Sequence, residues 1–180
     1  MNQDKDMRRY PNGWGVVISG LFAAMIFVVT MLHINTPNQG YIHVGDTLIY
    51  LAASLMPLPY AVPCAAIGAA FADIMSGEAY WAVFTVMIKA ILVLFFTSKR
   101  ETILCGRNIV AIFLAGIFGL VGYAFAGGIL FGNMFAQFAL IPIQALQPLA
   151  SGILYVIIAK ALDEMHLKRR YDFSFKAKNR

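Results

Sequence analysis

The chain has 180 residues, of which 60% are hydrophobic and only 13% charged, and its formal net charge is +5. With a mean hydropathy of +0.71, it carries more apolar side chains than a soluble fold of this size has interior to hide. That excludes an ordinary soluble domain. The basic residues cluster beside apolar runs with little aromatic interleaving, which argues against a nucleic-acid surface and suits a chain whose solvent is a bilayer.

A membrane helix needs about 20 mostly apolar residues. The polar opening, "MNQDKDMRRYPNGWG", has no small-residue cleavage site before the first apolar run, so that run is expected to be a retained span and not a signal peptide. Six spans are predicted within one membrane domain covering residues 1–180. They run over about 14–32, 44–56, 60–75, 80–97, 109–126 and 135–162. The second is short and closed by "MPLP"; the sixth contains Pro142 and Pro148. A lid loop is expected at 33–43 and a basic tail at 163–180.

An even number of spans puts both termini on one side. Arg8 and Arg9, then Lys99, Arg100 and Arg107, then the tail fall together on that side. The opposite connections, 33–43, 76–79 and 127–134, hold no Lys or Arg. The positive-inside rule then makes the shared side cytoplasmic. The expected fold is an all-α, six-span integral membrane protein with both termini cytoplasmic. Cys64 and Cys105 fit no metal spacing and are expected to be free thiols.

Gly20 and Ala24 on span one and Gly68 and Ala72 on span three are small-xxx-small pairs, which let helix backbones approach closely in lipid. They serve packing within the bundle or, on span one, docking of a separate membrane partner.

Polar groups within apolar runs need a partner, a cavity or a function. In "HINTPNQGYIHVGD", Asn38, Gln39, Tyr41 and His43 could form a hydrogen-bonding lid over a pocket; the plain alternative is a solvated loop. Asp46 enters span two where a carboxylate can cap the helix or meet a ligand. Lys89 follows Tyr80 by nine residues, about 13 Å down a helix. A buried ammonium there needs a carboxylate, for which Asp46 and Asp73 are the candidates, and it serves either that ion pair or a ligand. Tyr80, Trp81 and Phe84 gather at the outer level, as belt residues or as a stacking surface. Asn133, Gln137, Gln144 and Gln147 add amides, and Gln137 and Gln144, seven residues apart, share one face of a continuous helix. Together they suit a small polar, aromatic ligand.

"HVGD", followed by "PLPYAVPCAAIGAAFADIMSG" and a lysine on the next span, resembles the substrate-binding S components of energy-coupling factor (ECF) vitamin transporters, in their riboflavin-transporter-like branch. The resemblance implies a six-helix subunit of a prokaryotic plasma membrane, with an outward pocket closed by the loop after span one. It implies a transmembrane coupling (T) component and two cytosolic ATPases as partners, and no cofactor or metal on this chain. It further implies a lid role for Asn38, Gln39 and Tyr41 and ligand contacts by His43, Tyr80, Trp81, Phe84, Lys89, Asn133, Gln137 and Gln144. Docking to the T component falls to Gly20, Ala23 and Ala24, where the family carries A-x-x-x-A. Thiamine or its pyrimidine precursor, pyridoxine, riboflavin and queuosine-type deazapurines are all open as ligands.

Two other function classes compete with that expectation. One is a stand-alone membrane transporter. The other is an intramembrane enzyme, against which stands the lack of H-E-x-x-H, G-x-S-x-G or a paired acidic motif.

Overall fold

Apolar runs free of helix breakers set the long rods. In the computed structural model, which describes residues 13–36, 40–171 and 173, α1 spans Gly13–Met31, α3 Leu58–Met75 and α5 Gly106–Phe131. At 1.5 Å per residue these rods are about 27–39 Å long. α2 (Asp46–Leu55) is shorter, and α4 (Ala82–Phe95) follows a single 3₁₀ turn at Ala79–Trp81. Four helical stretches are long and apolar enough to cross a membrane: Gly13–Met31, Leu58–Met75, Gly106–Phe131 and Ile141–Glu164.

Local chemistry explains the boundaries. α2 stops at Met56, which is extended before Pro57, as the residue preceding a proline prefers. α3 ends in a Schellman-type turn. Gly77 takes a left-handed φ of 83°, and the Glu78 N–H donates to Asp73 O at 2.9 Å.

Two expectations need correction here. The single rod at 135–162 is three helices, α6 (Met134–Ala139), α7 (Ile141–Gln144) and α8 (Leu146–Glu164). Pro142 and Pro148 each fall in the first turn of a new helix, where a missing N–H is tolerated. α5 also runs on through the expected connection at 127–134 as far as Phe131. Gly127 and Gly128 do not break it. They let α6 pack closely, because a Cβ on Gly127 would sit 2.7 Å from Gln137 Oε1 and one on Gly128 would strike the Met134 sulfur.

Residues 33–43 contain the only strands among the described residues. β1 (Ile34–Thr36) pairs antiparallel with β2 (Gly40–Ile42), with Ile34 opposite Ile42 and Asn35 opposite Tyr41. A last short helix, α9 (Leu167–Arg170), follows α8.

α2 is the inner rod, touching α1, α3, α4 and α8, and all its residues except Leu48 are buried. Tyr50 stacks on Phe96 with ring centres 4.9 Å apart, and Tyr155 meets Tyr50 edge-on at 6.0 Å. The outside is the apolar part: Phe113 and Ile117 are 66% and 62% exposed, whereas Lys89 and Asp46 are 1% and 4% exposed. A molecule with polar groups inside and apolar groups outside belongs in lipid, where tight packing and internal hydrogen bonds hold helices together.

On α1, Gly20 and Ala24 face outward. The Ala23 carbonyl instead turns to α3, where a Cβ on Gly68 would lie 2.6 Å from it. Both cysteines are free thiols, Cys64 buried and Cys105 half-buried.

Candidate functional site

The first turn of α2 and the middle of α4 bring opposite charges together. Lys89 Nζ lies 2.5 Å from Asp46 Oδ1, with the two side chains 2% and 6% exposed. Gln147 of α8 donates from Nε2 to the other Asp46 oxygen at 3.1 Å. The ammonium also sits 5.1 Å from the centre of the Tyr123 ring of α5, a cation–π distance. Tyr123 in turn donates its hydroxyl hydrogen to Thr85 Oγ1 at 3.1 Å. One buried network thus ties α2, α4, α5 and α8 together.

This network corrects the expectation that Asp46 caps its helix. Gly45 is the N-cap, there is no side-chain cap bond, and Lys89 and Gln147 engage both carboxylate oxygens. A lysine buried this deeply would leave a costly uncompensated charge without a carboxylate in contact. Of the two candidates, Asp46 makes the ion pair.

Ahead of α2, His43 Nδ1 accepts the Gly45 N–H at 3.0 Å, so the neutral ring carries its proton on Nε2. Burial pushes the imidazole down to about 4; the Asp46 charge opposes the shift, and Lys89 and His33 add to it.

The network opens onto a cavity of about 830 Å³ between the atoms, its open mouth included. Ile42 and His43 line it where the hairpin meets α2. Its polar wall holds Thr30, Asp46, Asp73, Glu78 and Lys89, and Gln144 and Gln147 supply amides from α7 and α8. Tyr50, Trp81 and Tyr123 give it aromatic surface. Gly119 leaves space, since a Cβ there would meet nothing within 4 Å. Thr30 Oγ1 and Glu78 Oε2 are buried without a hydrogen-bond partner, an arrangement that costs free energy unless something else completes it.

Six residues predicted for the site or its polar frame line this cavity: His43, Asp46, Asp73, Trp81, Lys89 and Gln144. Four others lie elsewhere. Tyr80 packs edge-on against Phe131 at 5.9 Å, Phe84 packs on the core, and Asn133 caps α6 by accepting the Ala136 N–H. Gln137 is buried against Gly127. Asn38 and Gln39 lie outside the described residues, and of Tyr41 only the backbone in β2 is described. Sequence reasoning missed Thr30, Tyr50 and Thr85 as lining residues. Gln147, named among the span-six amides but not as a ligand contact, stands three residues after Gln144 and lines the cavity too.

Several findings place the chain among known proteins. The family model for the S component of ECF-type riboflavin transporters matches residues 14–164. A protein of Pyrococcus woesei described as "Uncharacterized protein in gap 3'region" is 34% identical over 112 residues, covering 59% of this chain and 74% of that protein. No solved structure matches the chain significantly. With its inside-out bundle, its cavity beneath the hairpin and a family match over most of its length, the chain belongs to the ECF-type riboflavin transporter S component family.

Proposed function

We propose that the chain is the substrate-binding subunit of an ECF importer and captures a small heterocyclic vitamin or related micronutrient in the cavity beneath the hairpin. Thiamine or its pyrimidine precursor, pyridoxine, riboflavin and a queuosine-type deazapurine are the candidate classes. The observation that carries this reading is the buried Lys89–Asp46–Gln147 network facing a cavity lined by aromatic rings and amides. Such a wall holds a flat ring by stacking and reads its edge by hydrogen bonds. Trp81, Lys89, His43 and Gln144 are the ligand contacts, together with Gln147 and Tyr123; the hairpin, with Asn38, Gln39 and Tyr41, forms the lid.

In this reading six helical segments cross the plasma membrane of a prokaryote. The two shorter apolar stretches, Asp46–Leu55 and Ala79–Phe95, count among them, and both termini are cytoplasmic. ATP is hydrolysed by two partner subunits, and a T component docks on the outward face of α1 at Gly20 and Ala24. The purified protein in detergent tests the binding role. A cognate ligand present at a thousandfold excess over Kd stabilises the fold by about 4 kcal/mol, so one member of a vitamin panel should raise the melting temperature strongly. Absence of any shift across the panel would remove the support for a binding subunit.

A further inference from the structure

The cavity has a charge imbalance that its own ion pair does not resolve. Three carboxylates line it, Asp46, Asp73 and Glu78, against one lysine, Lys89, and the histidine His43. Lys89 already contacts Asp46. No other Lys or Arg lines the cavity among the described residues, and the whole hairpin segment 33–43 contains none. α1, α5 and α8 face the space with uncharged groups only. Thr30, 1% exposed, contributes a hydroxyl without a hydrogen-bond partner, and Glu78 contributes a carboxylate oxygen in the same condition. Two negative groups at one wall of a lipid-embedded cavity are unfavourable unless a positive charge joins them.

Building on the binding-subunit reading above, we propose that the ligand carries a positive charge, a protonated amine or a quaternised ring nitrogen on a flat heterocycle, and that Asp73 and Glu78 receive it. The cationic end lies against these carboxylates, where α3 ends and the link to α4 begins. Thr30 accepts a further N–H, and Trp81 offers its ring to the heterocycle. Gln144 and Gln147, on the α7–α8 side, read the uncharged edge. Burial and the neighbouring Asp73 charge hold the Glu78 carboxyl above its ordinary range, with His33 opposing the shift, and an arriving cation relieves the same repulsion.

The test uses the full chain in detergent and follows its melting temperature against matched probes. Thiamine and benzylammonium are cationic, riboflavin and benzyl alcohol uncharged, benzoate anionic, and sodium and calcium chloride stand for inorganic cations. Each is measured on the parent protein and on Glu78→Gln and Asp73→Asn, which keep side-chain shape while removing charge. The expected result is stabilisation in the order cation, neutral, anion. Glu78→Gln should weaken binding of the cationic probes at least tenfold, about 1.4 kcal/mol, and leave benzyl alcohol unchanged. Glu78 lies in a link outside the helices, so its variant reports even if Asp73→Asn does not fold. Riboflavin binding as tightly as any cation, or cationic probes binding Glu78→Gln unchanged, would overturn the charge assignment while the binding-subunit reading stands. Equal stabilisation by sodium or calcium would overturn it too. No stabilisation by any cationic probe on folded protein would overturn the charge assignment, and no stabilisation by these probes or any member of the vitamin panel would overturn both readings.

Discussion

Lys89 Nζ sits 2.5 Å from Asp46 Oδ1 in an environment with almost no water, and such a pair behaves asymmetrically when altered. Removing one partner strands the other charge at a cost of about 3–5 kcal/mol, whereas replacing both with neutral groups is far milder. Lys89→Met should therefore lower the melting temperature sharply, and Lys89→Met with Asp46→Asn should recover much of the loss. A double variant less stable than both single variants would show that the pair is not the dominant interaction. His43 gives a pH test. Its folded value of about 4 lies below the ordinary 6.5, so the unfolded chain binds the proton more readily between those limits. Stability should then hold above pH 6.5, fall as pH drops toward 4 and level off below, by about 3 kcal/mol in all. His43→Asn, which keeps an acceptor for the Gly45 N–H, should flatten that slope in pH-resolved melting curves; an unchanged slope would assign the acid sensitivity to another group. At this scale the sequence was informative about which groups matter and silent about their pairings. Lys89 and Asp46 stand out as charges in apolar runs, but nothing in one dimension says that Gln147, 101 positions after Asp46, completes the network.

At the scale of elements, α1 presents two different faces. Inward, a methyl at Gly68 would lie 2.6 Å from the Ala23 carbonyl and 3.0 Å from Ile26 Cβ, so α1 and α3 are packed nearly backbone to backbone. Gly68→Ala must push these helices apart and should cost about 1–3 kcal/mol, read as a fall in melting temperature. Outward, a Cβ at Gly20 meets nothing within 4 Å. Gly20→Leu should leave both melting temperature and ligand affinity as they were while reducing co-purification with the T component; undiminished co-purification would move docking off this face. The positions of the rods were legible because long apolar runs and the "MPLP" break are local signals. Their inward faces were not, because a helix that is apolar all round carries no stripe to show which side turns to the core. The same blindness explains the misplaced amides. Gln137 and Gln144 share a face only if 135–162 is one helix, and the break after Ala139 separates them. The end of α5 was misread for a related reason. Gly127 and Gly128 look like a breaker from sequence, and their close contact with α6 exists only in the packed bundle.

The whole molecule has two chemically different ends. At the end opposite the hairpin, Lys168 donates to the carbonyls of Ser54 and Ser98 at 2.9 and 2.8 Å, placing a cation at the last turn of α2, where the helix dipole favours it. Asp163 accepts the N–H groups of Ile103 and Leu104 at 2.7 and 2.9 Å, and Asn108 bonds both the N–H and the carbonyl of Thr97. The basic loop and the start of the basic tail are thus fastened to the same end of the bundle, although some 60 residues separate them in the chain. The cavity, the hairpin and the acidic wall occupy the other end. Lys and Arg concentrate on the cytoplasmic side of membrane proteins, and the proposed capture role expects the cavity to face outward. Single cysteines introduced into a Cys64→Ala, Cys105→Ser background check it directly. Ala79 and Thr102 are both exposed, one in the link from α3 to α4 and the other in the basic loop. A membrane-impermeant maleimide added to intact cells should label Ala79→Cys and spare Thr102→Cys, which should react only after permeabilisation. The opposite pattern would turn the cavity toward the cytoplasm, and the outward-facing capture role would fail with it.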